Sequence, residues 1–182
     1  MDDELAWETL GRETAYTCPG FDVVHEAVQL PDGLVTDFDH LSEPPAVVVL
    51  PFTEDGDVVV IEEWRQAVER VNRGLPAGTV DPSDDGLGET VHRELAEETG
   101  YEADEIAHMI SVEPANGIAD SVHHHFVATG CTPTAEQDLD DDEAIRVDTT
   151  SYESLRREVA AGEYRDGRTV LAVTYFEAFH RN

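Results

Sequence analysis

Glu94, Glu97 and Glu98 stand at i, i+3 and i+4 within the run Arg93-Glu94-Leu95-Ala96-Glu97-Glu98-Thr99-Gly100-Tyr101. On a helix that spacing brings three carboxylates to one face. Like charges so placed repel by roughly 0.2–0.5 kcal/mol per pair on an isolated helix, and a cation between them offsets the repulsion. Three hard oxygen donors suit Mg²⁺ or Mn²⁺. A solvated acidic helix would need no such ion, so the surrounding residues decide between the two readings.

The elements around this run set its place in the fold. The spacing predicts a helix over Leu87–Thr99, capped by Asp84 or Asp85 and ended by Gly100, where a left-handed terminus favours glycine. Residues 14–38 read as strands, with Pro31-Asp32-Gly33 as a turn. Ala46–Phe52 and Val58–Trp64 read as two β-rich runs joined by the hairpin Thr53-Glu54-Asp55-Gly56. Arg73–Pro82 is rich in Gly and Pro and reads as an irregular loop. Strands follow at 106–112 and 122–128, then an acidic loop at 132–143 and a short strand at 145–148. Thr150-x-x-Glu153 reads as a capping box for a helix toward Ala161, and a last helix spans about 169–180. Strands interleaved with helices imply α/β layering.

Composition narrows the class. The chain carries 41 acidic and 11 basic residues, a net charge of −30, and every basic residue is an arginine. Apolar runs recur between the acidic stretches, so 182 residues suffice for a folded core beneath an acidic shell. Such a shell repels phosphate backbones, and no basic stripe serves nucleic acid. The start has neither a basic nor an apolar leader region, and no apolar stretch approaches the ~20 residues that span a bilayer. Cys18 and Cys131 form no disulfide framework and show no metal-ligand spacing. A cytoplasmic protein of a salt-accumulating cell is expected. His123-His124-His125 alternates across a strand and reads as sheet structure rather than a metal site.

Taken together, Pro76-Ala77-Gly78, Asp84-Asp85 and Arg93–Tyr101 resemble the Nudix box. In that pattern a glycine, five residues, a glutamate and seven residues precede Arg-Glu-apolar-x-Glu-Glu-x-Gly-apolar. The second half matches at every specified position. In the first half Gly78 stands fifteen residues before Arg93 where the pattern has fourteen, and an aspartate replaces the glutamate. The extra residue is expected in the turn Asp81–Gly88, where a loop absorbs it at small cost.

The resemblance covers about 45–180 and is nearest to ADP-ribose pyrophosphatases, through Trp64-Arg65-Gln66, Leu75-Pro76-Ala77-Gly78, Leu30-Pro31-Asp32-Gly33 and Pro114. Gly74 replaces a common glutamate, and Pro114-Ala115-Asn116-Gly117 replaces a shorter turn. The resemblance implies an α/β/α Nudix sandwich with a mixed sheet over 45–182. It also implies a small antiparallel β-subdomain over 1–44 that serves a homodimer. It implies a Mg²⁺- or Mn²⁺-dependent hydrolase of a nucleoside diphosphate derivative, with ADP-ribose yielding AMP and ribose 5-phosphate. Another nucleotide sugar, a dinucleoside polyphosphate, an oxidised nucleoside triphosphate, or a non-catalytic nucleotide sensor are the alternatives.

Roles follow from the same resemblance. Glu94, Glu97, Glu98 and the Ala77 carbonyl would hold metal, with Gly78 letting the backbone pass close. Arg93 would hold the acidic cluster and the preceding loop by a bidentate pair. Arg65, Trp64, Gly78 and Pro114 would contact substrate. Glu143 or Asp141 would serve as general base, with Glu98 as the alternative. The acidic shell gives the first prediction: unfolding free energy rises between low and molar salt, where the Debye length falls to about 3 Å. Denaturation in urea at both salt concentrations measures it.

Overall fold

The computed structural model describes residues 3–134, 136–140 and 143–181. They group into two compact units, Met1–Pro45 with Glu113–Val122, and Ala46–Val112 with His123–Asn182.

In the first unit, β1 (Glu8–Cys18), β2 (Phe21–Gln29) and β3 (Val35–Ser42) form an antiparallel sheet in the order β1-β2-β3. Gly33 turns the chain between β2 and β3 at φ 88°, a left-handed conformation that glycine adopts without strain. Period-two patterning buries Val24 and Val28, whereas β1 is exposed along nearly its whole length. Segment 113–122 belongs here because β3 holds its backbone. The Leu41 N–H donates to Ile118 O at 2.8 Å, and the Asp120 N–H donates to Leu41 O at 3.0 Å. The Asp120 carboxylate accepts from Ser42 Oγ and the Glu43 N–H, each at 2.9 Å. A single cut after residue 44 misses this segment, since its tie to β3 is long-range.

The second unit runs through β4 (Ala46–Thr53), β5 (Asp57–Arg65), a 3₁₀ turn (Gln66–Val68), β6 (Arg70–Gly74) and β7 (Ala77–Thr79). Then follow α1 (Leu87–Thr99), β8 (Tyr101–Glu102), β9 (Glu105–Val112), β10 (His123–Pro133), β11 (Ile145–Ser151), α2 (Tyr152–Ala160) and α3 (Gly167–Phe179). Its sheet is mixed: β4 and β10 pair in parallel, while the other described pairings are antiparallel.

Four consecutive apolar residues of β4, Val47 to Leu50, are fully buried, which requires cover on both faces of the sheet. Val47 and Val49 pack with Val91 and Leu95 of α1 and with Phe126 and Ala128. Val48 and Leu50 pack with Leu75, with Tyr152 and Leu155 of α2, and with Ala172 and Val173 of α3. The result is an α/β/α sandwich. Among the described residues no helix is long and apolar enough to cross a membrane.

Several local expectations are corrected. Neither Asp84 nor Asp85 caps α1; Gly86 occupies that position with no side-chain cap. The Thr150 capping box is replaced by Ser151, whose Oγ accepts the Ser154 N–H at 3.2 Å, because β11 extends through Thr150. Arg73–Pro82 is not wholly irregular: it contains the end of β6 and all of β7, short strands held by pairing with β5 and β4. His125 is fully buried in β10, and burial lowers its pKa to about 4, which leaves it neutral at pH 7.

Leu95 is fully buried between α1 and β4. Leu95→Ala is expected to cost about 2–5 kcal/mol of unfolding free energy, read from denaturant titration in molar salt.

Candidate active site

The Pro76-Ala77-Gly78 stretch and the first buried face of α1 meet where β7 pairs with β4. Gly78 is required by this approach. A Cβ built there would fall 1.9 Å from the Glu94 carboxyl carbon, so any side chain would displace Glu94. The N–H of Ala77 donates to Glu98 Oε2 at 2.9 Å. Gly100 ends α1 at φ 73°, its N–H bonded to Ala96 O at 2.7 Å.

Arg93 gathers the acidic groups. Its Nε and Nη2 donate to the two oxygens of Asp84 at 3.3 and 3.0 Å, and Nη2 also donates to Thr79 O at 3.0 Å. Its Nη1 donates to Glu94 and to Glu97, each at 2.9 Å. Of the two candidate aspartates, Asp84 is thus the one that faces α1, and it also accepts from Thr90 Oγ1 at 2.8 Å. The Arg93 hydrogen bonds and that of Thr90 hold the Asp84 carboxyl down to about 2. A turn follows Asp81, where the Asp84 N–H donates to Asp81 O at 3.0 Å.

A cleft of about 290 Å³ opens over these groups. Glu94, Glu97 and Glu98 line it with Ala77, Gly78 and Arg93, and so do Arg65, Asp138, Asp140, Glu143 and Arg168. Burial raises the pKa of Glu98 to about 8 and, more weakly, raises that of Glu94, against the lowering influence of Arg93. The acidic segment after β10 is tied to the end of α1. Gln137 Nε2 donates to Glu98 O at 2.6 Å, and the Asp138 N–H donates to Glu97 O at 3.0 Å. Glu143 folds back locally, its N–H donating to Asp140 O at 3.0 Å and its carboxylate accepting the Asp140 N–H at 3.2 Å.

Not every expected residue joins this cleft. Arg65 lines it and pairs with Glu63 at 2.7 Å. Trp64 is not among the lining residues; its side chain is exposed and donates to Gln66 Oε1 at 3.1 Å. Pro114 belongs to the other compact unit. Asp141 lies outside the described residues. The sequence placed Asp138 in the acidic loop without a role of its own, and it gave no sign of Arg168. No local pattern ties residue 168 to the Glu94–Glu98 run; only the packing of α3 brings it here.

The donor chemistry fits a hard divalent cation. Three carboxylates share one cleft with a backbone kept bare by Gly78, and the two most buried have raised pKa values that a cation would reverse. Arg93 and the Ala77 N–H engage these carboxylates here. Among the described residues no three His, Cys, Asp or Glu side chains already form a ready cation cluster.

This sandwich, with a glycine-lined carboxylate helix under an open cleft, defines a class, and the family comparison agrees: residues 42–171 match the NUDIX domain. The chain belongs to that family and is a Nudix-type hydrolase. It is 29% identical over 174 residues to the ADP-ribose pyrophosphatase of Bacillus subtilis (strain 168), across 95% of this chain and 94% of that one. It is 30% identical over 151 residues to the methanol dehydrogenase activator of Bacillus methanolicus, across 82% and 81% of the two chains. A crystal structure of an ADP compounds hydrolase shares the fold with a TM-score of 0.83 at 20% identity, covering 95% of this chain and 93% of that one.

Glu98 makes metal-free stability depend on pH. Its folded pKa, about 8, lies above the ordinary value of 4.5. Its stabilising contribution is therefore complete below about pH 4.5 and is lost as pH rises through 8. Glu98→Gln stays neutral throughout and keeps an acceptor for the Ala77 N–H. In chelator, the variant is expected to exceed the parent's unfolding free energy by a few kcal/mol at pH 8 and by little at pH 5. Urea titrations at both pH values check this.

Proposed function

We propose that the chain hydrolyses the pyrophosphate bond of a nucleoside diphosphate linked to another moiety, with ADP-ribose cleaved to AMP and ribose 5-phosphate. The observation that carries this reading is the meeting of Glu94, Glu97, Glu98 and Arg65 in one cleft. Likeness to an ADP-ribose pyrophosphatase along nearly the whole chain supports the substrate.

In the reaction a water oxygen bonds to one phosphorus, the bridging P–O bond breaks, and the water proton passes to a base. The leaving phosphate departs with the bridging oxygen. Glu94, Glu97, Glu98 and the Ala77 carbonyl would hold Mg²⁺ or Mn²⁺. Such an ion supplies charge neutralisation on the phosphates and a lowered pKa for bound water. Arg93 fixes the orientation of Glu94 and Glu97, and Gly78 keeps the backbone against Glu94. Glu143 is the first candidate base, because it lines the cleft on the segment tied to α1; Glu98 is the second. Asp141, outside the described residues, remains the other candidate by resemblance. Arg65 grips a phosphate or the ribose, and Trp64 and Pro114 remain assigned to substrate by resemblance. The protein would work as a homodimer in a salt-rich cytoplasm, with residues 1–44 as the dimerisation element.

A screen of nucleoside diphosphate derivatives in molar salt with Mg²⁺ or Mn²⁺, coupled to a phosphatase, tests this reading. ADP-ribose is expected to be the strongest substrate. Glu98→Gln is expected to lower kcat by on the order of 10²-fold or more while the nucleotide still binds. Turnover confined to triphosphates would overturn the substrate, and nucleotide binding without turnover by the parent chain would make it a sensor.

A further inference from the structure

A diphosphate entering this cleft meets a strongly negative wall. Six carboxylates line it: Glu94, Glu97, Glu98, Asp138, Asp140 and Glu143. Three of the chain's 11 basic residues line it too, Arg65, Arg93 and Arg168. Arg93 is committed to Asp84, Glu94, Glu97 and the Thr79 carbonyl, and Arg65 is paired with Glu63. Arg168 is engaged differently. Its hydrogen bonds to Asp166 Oδ1 come from the backbone N–H at 3.2 Å and from Nε at 3.1 Å. That leaves the two terminal amino groups of the guanidinium unclaimed by Asp166.

The holder of Arg168 is itself rigidly built. Asp166 caps α3, and its second oxygen accepts from Thr169 Oγ1 at 2.9 Å. Thr169 is fully buried, and its Oγ1 accepts the Leu75 N–H at 3.0 Å. Leu75 leads directly into Pro76-Ala77-Gly78, so the same hydrogen-bonded chain fixes Arg168 and the loop beneath Glu94. Gly74 permits this closeness. A Cβ there would stand 3.0 Å from Asp166 Oδ2 and 3.1 Å from Thr169 Oγ1, so a larger residue would press on the aspartate. A guanidinium held by Nε, with no hydrogen bond from its terminal fork to the described residues, suits bidentate recognition of phosphate.

We propose that Arg168 is a substrate-binding residue that grips the diphosphate, and that Asp166 is its positioning residue, registered against the Leu75–Gly78 loop through Thr169. The assignment rests on the diphosphate reading of the cleft. It adds a second arginine to Arg65, on an element distant in sequence from the Nudix box. It also accounts for a fixed, charged pair beside the cleft in a chain with few cations to spend.

The test uses the full chain in molar salt with Mg²⁺, comparing Arg168→Gln, Arg168→Lys and Asp166→Asn by steady-state kinetics on ADP-ribose. A parallel calorimetric titration uses methylenediphosphonate, whose P–C–P bridge resists hydrolysis. Arg168→Gln is expected to raise KM and weaken methylenediphosphonate binding by about tenfold each, with kcat within about threefold. Arg168→Lys, which keeps charge but loses the fork, falls between parent and Gln. Asp166→Asn shifts KM in the same direction by a smaller factor. Unchanged KM and unchanged diphosphonate binding in a folded Arg168→Gln overturn the assignment. If that variant does not fold, a folded Arg168→Lys with parental KM and binding overturns it equally. Arg168-dependent diphosphonate binding without ADP-ribose turnover would sink the substrate reading while leaving Arg168 in place. ADP-ribose turnover indifferent to Arg168 would do the reverse.

Discussion

One guanidinium holds the site together. Arg93 reaches the Thr79 carbonyl at the end of β7, the Asp84 carboxylate in the following turn, and Glu94 and Glu97 on its own helix. In a chain with a net charge of −30, closely spaced carboxylates would otherwise drive these segments apart. The geometry also needs arginine in particular. Three nitrogens serve four partners from a planar fork, which a lysine ammonium on a flexible stem does not reproduce. Asp84, kept ionised by this contact, completes a network of opposite charges beside the cleft rather than capping the helix.

The sheet gives this network its footing. β4 is buried on both faces, so it fixes α1 on one side and α2 and α3 on the other. β7 pairs with β4 at Val47–Gly78 and Val48–Ala77, which brings the bare glycine backbone to Glu94. The same strand therefore sets both the distance from loop to helix and the packing of α3, from whose N-terminus Arg168 and Thr169 project. Polar contacts of the cleft are thus anchored in apolar burial, and the interior behaves as one packed frame.

Much of this was legible in the residues themselves. The helix 87–99, its glycine end and the convergence of Glu94, Glu97 and Glu98 follow from local spacing, and local spacing survives folding. The apolar runs of β4 and β5 were equally readable. Other features were not, for identifiable reasons. The caps shifted because Asp84 finds a stronger partner in Arg93 and because β11 claims Thr150 by pairing with Val58. β6 and β7 were hidden by glycine and proline, since their strand character comes from partners in β5 and β4 rather than from propensity. Arg168 carries no signature in sequence. Its meaning depends on a contact between Thr169 and Leu75 that spans much of the chain.

That contact bears on when the site comes into being during synthesis. The Nudix-box helix is made near the middle of the chain. Its supporting strand β4 pairs in parallel with the much later β10, and the Leu75 N–H finds its partner only in the last helix. Parallel pairing and such distant contacts close late, because loop entropy must be overcome before they reward the chain. A nascent chain can thus carry all three box glutamates well before it carries an assembled cleft. Before then the acidic helix is a self-repelling segment, and the cleft is complete only once the first turn of α3 has docked against Leu75.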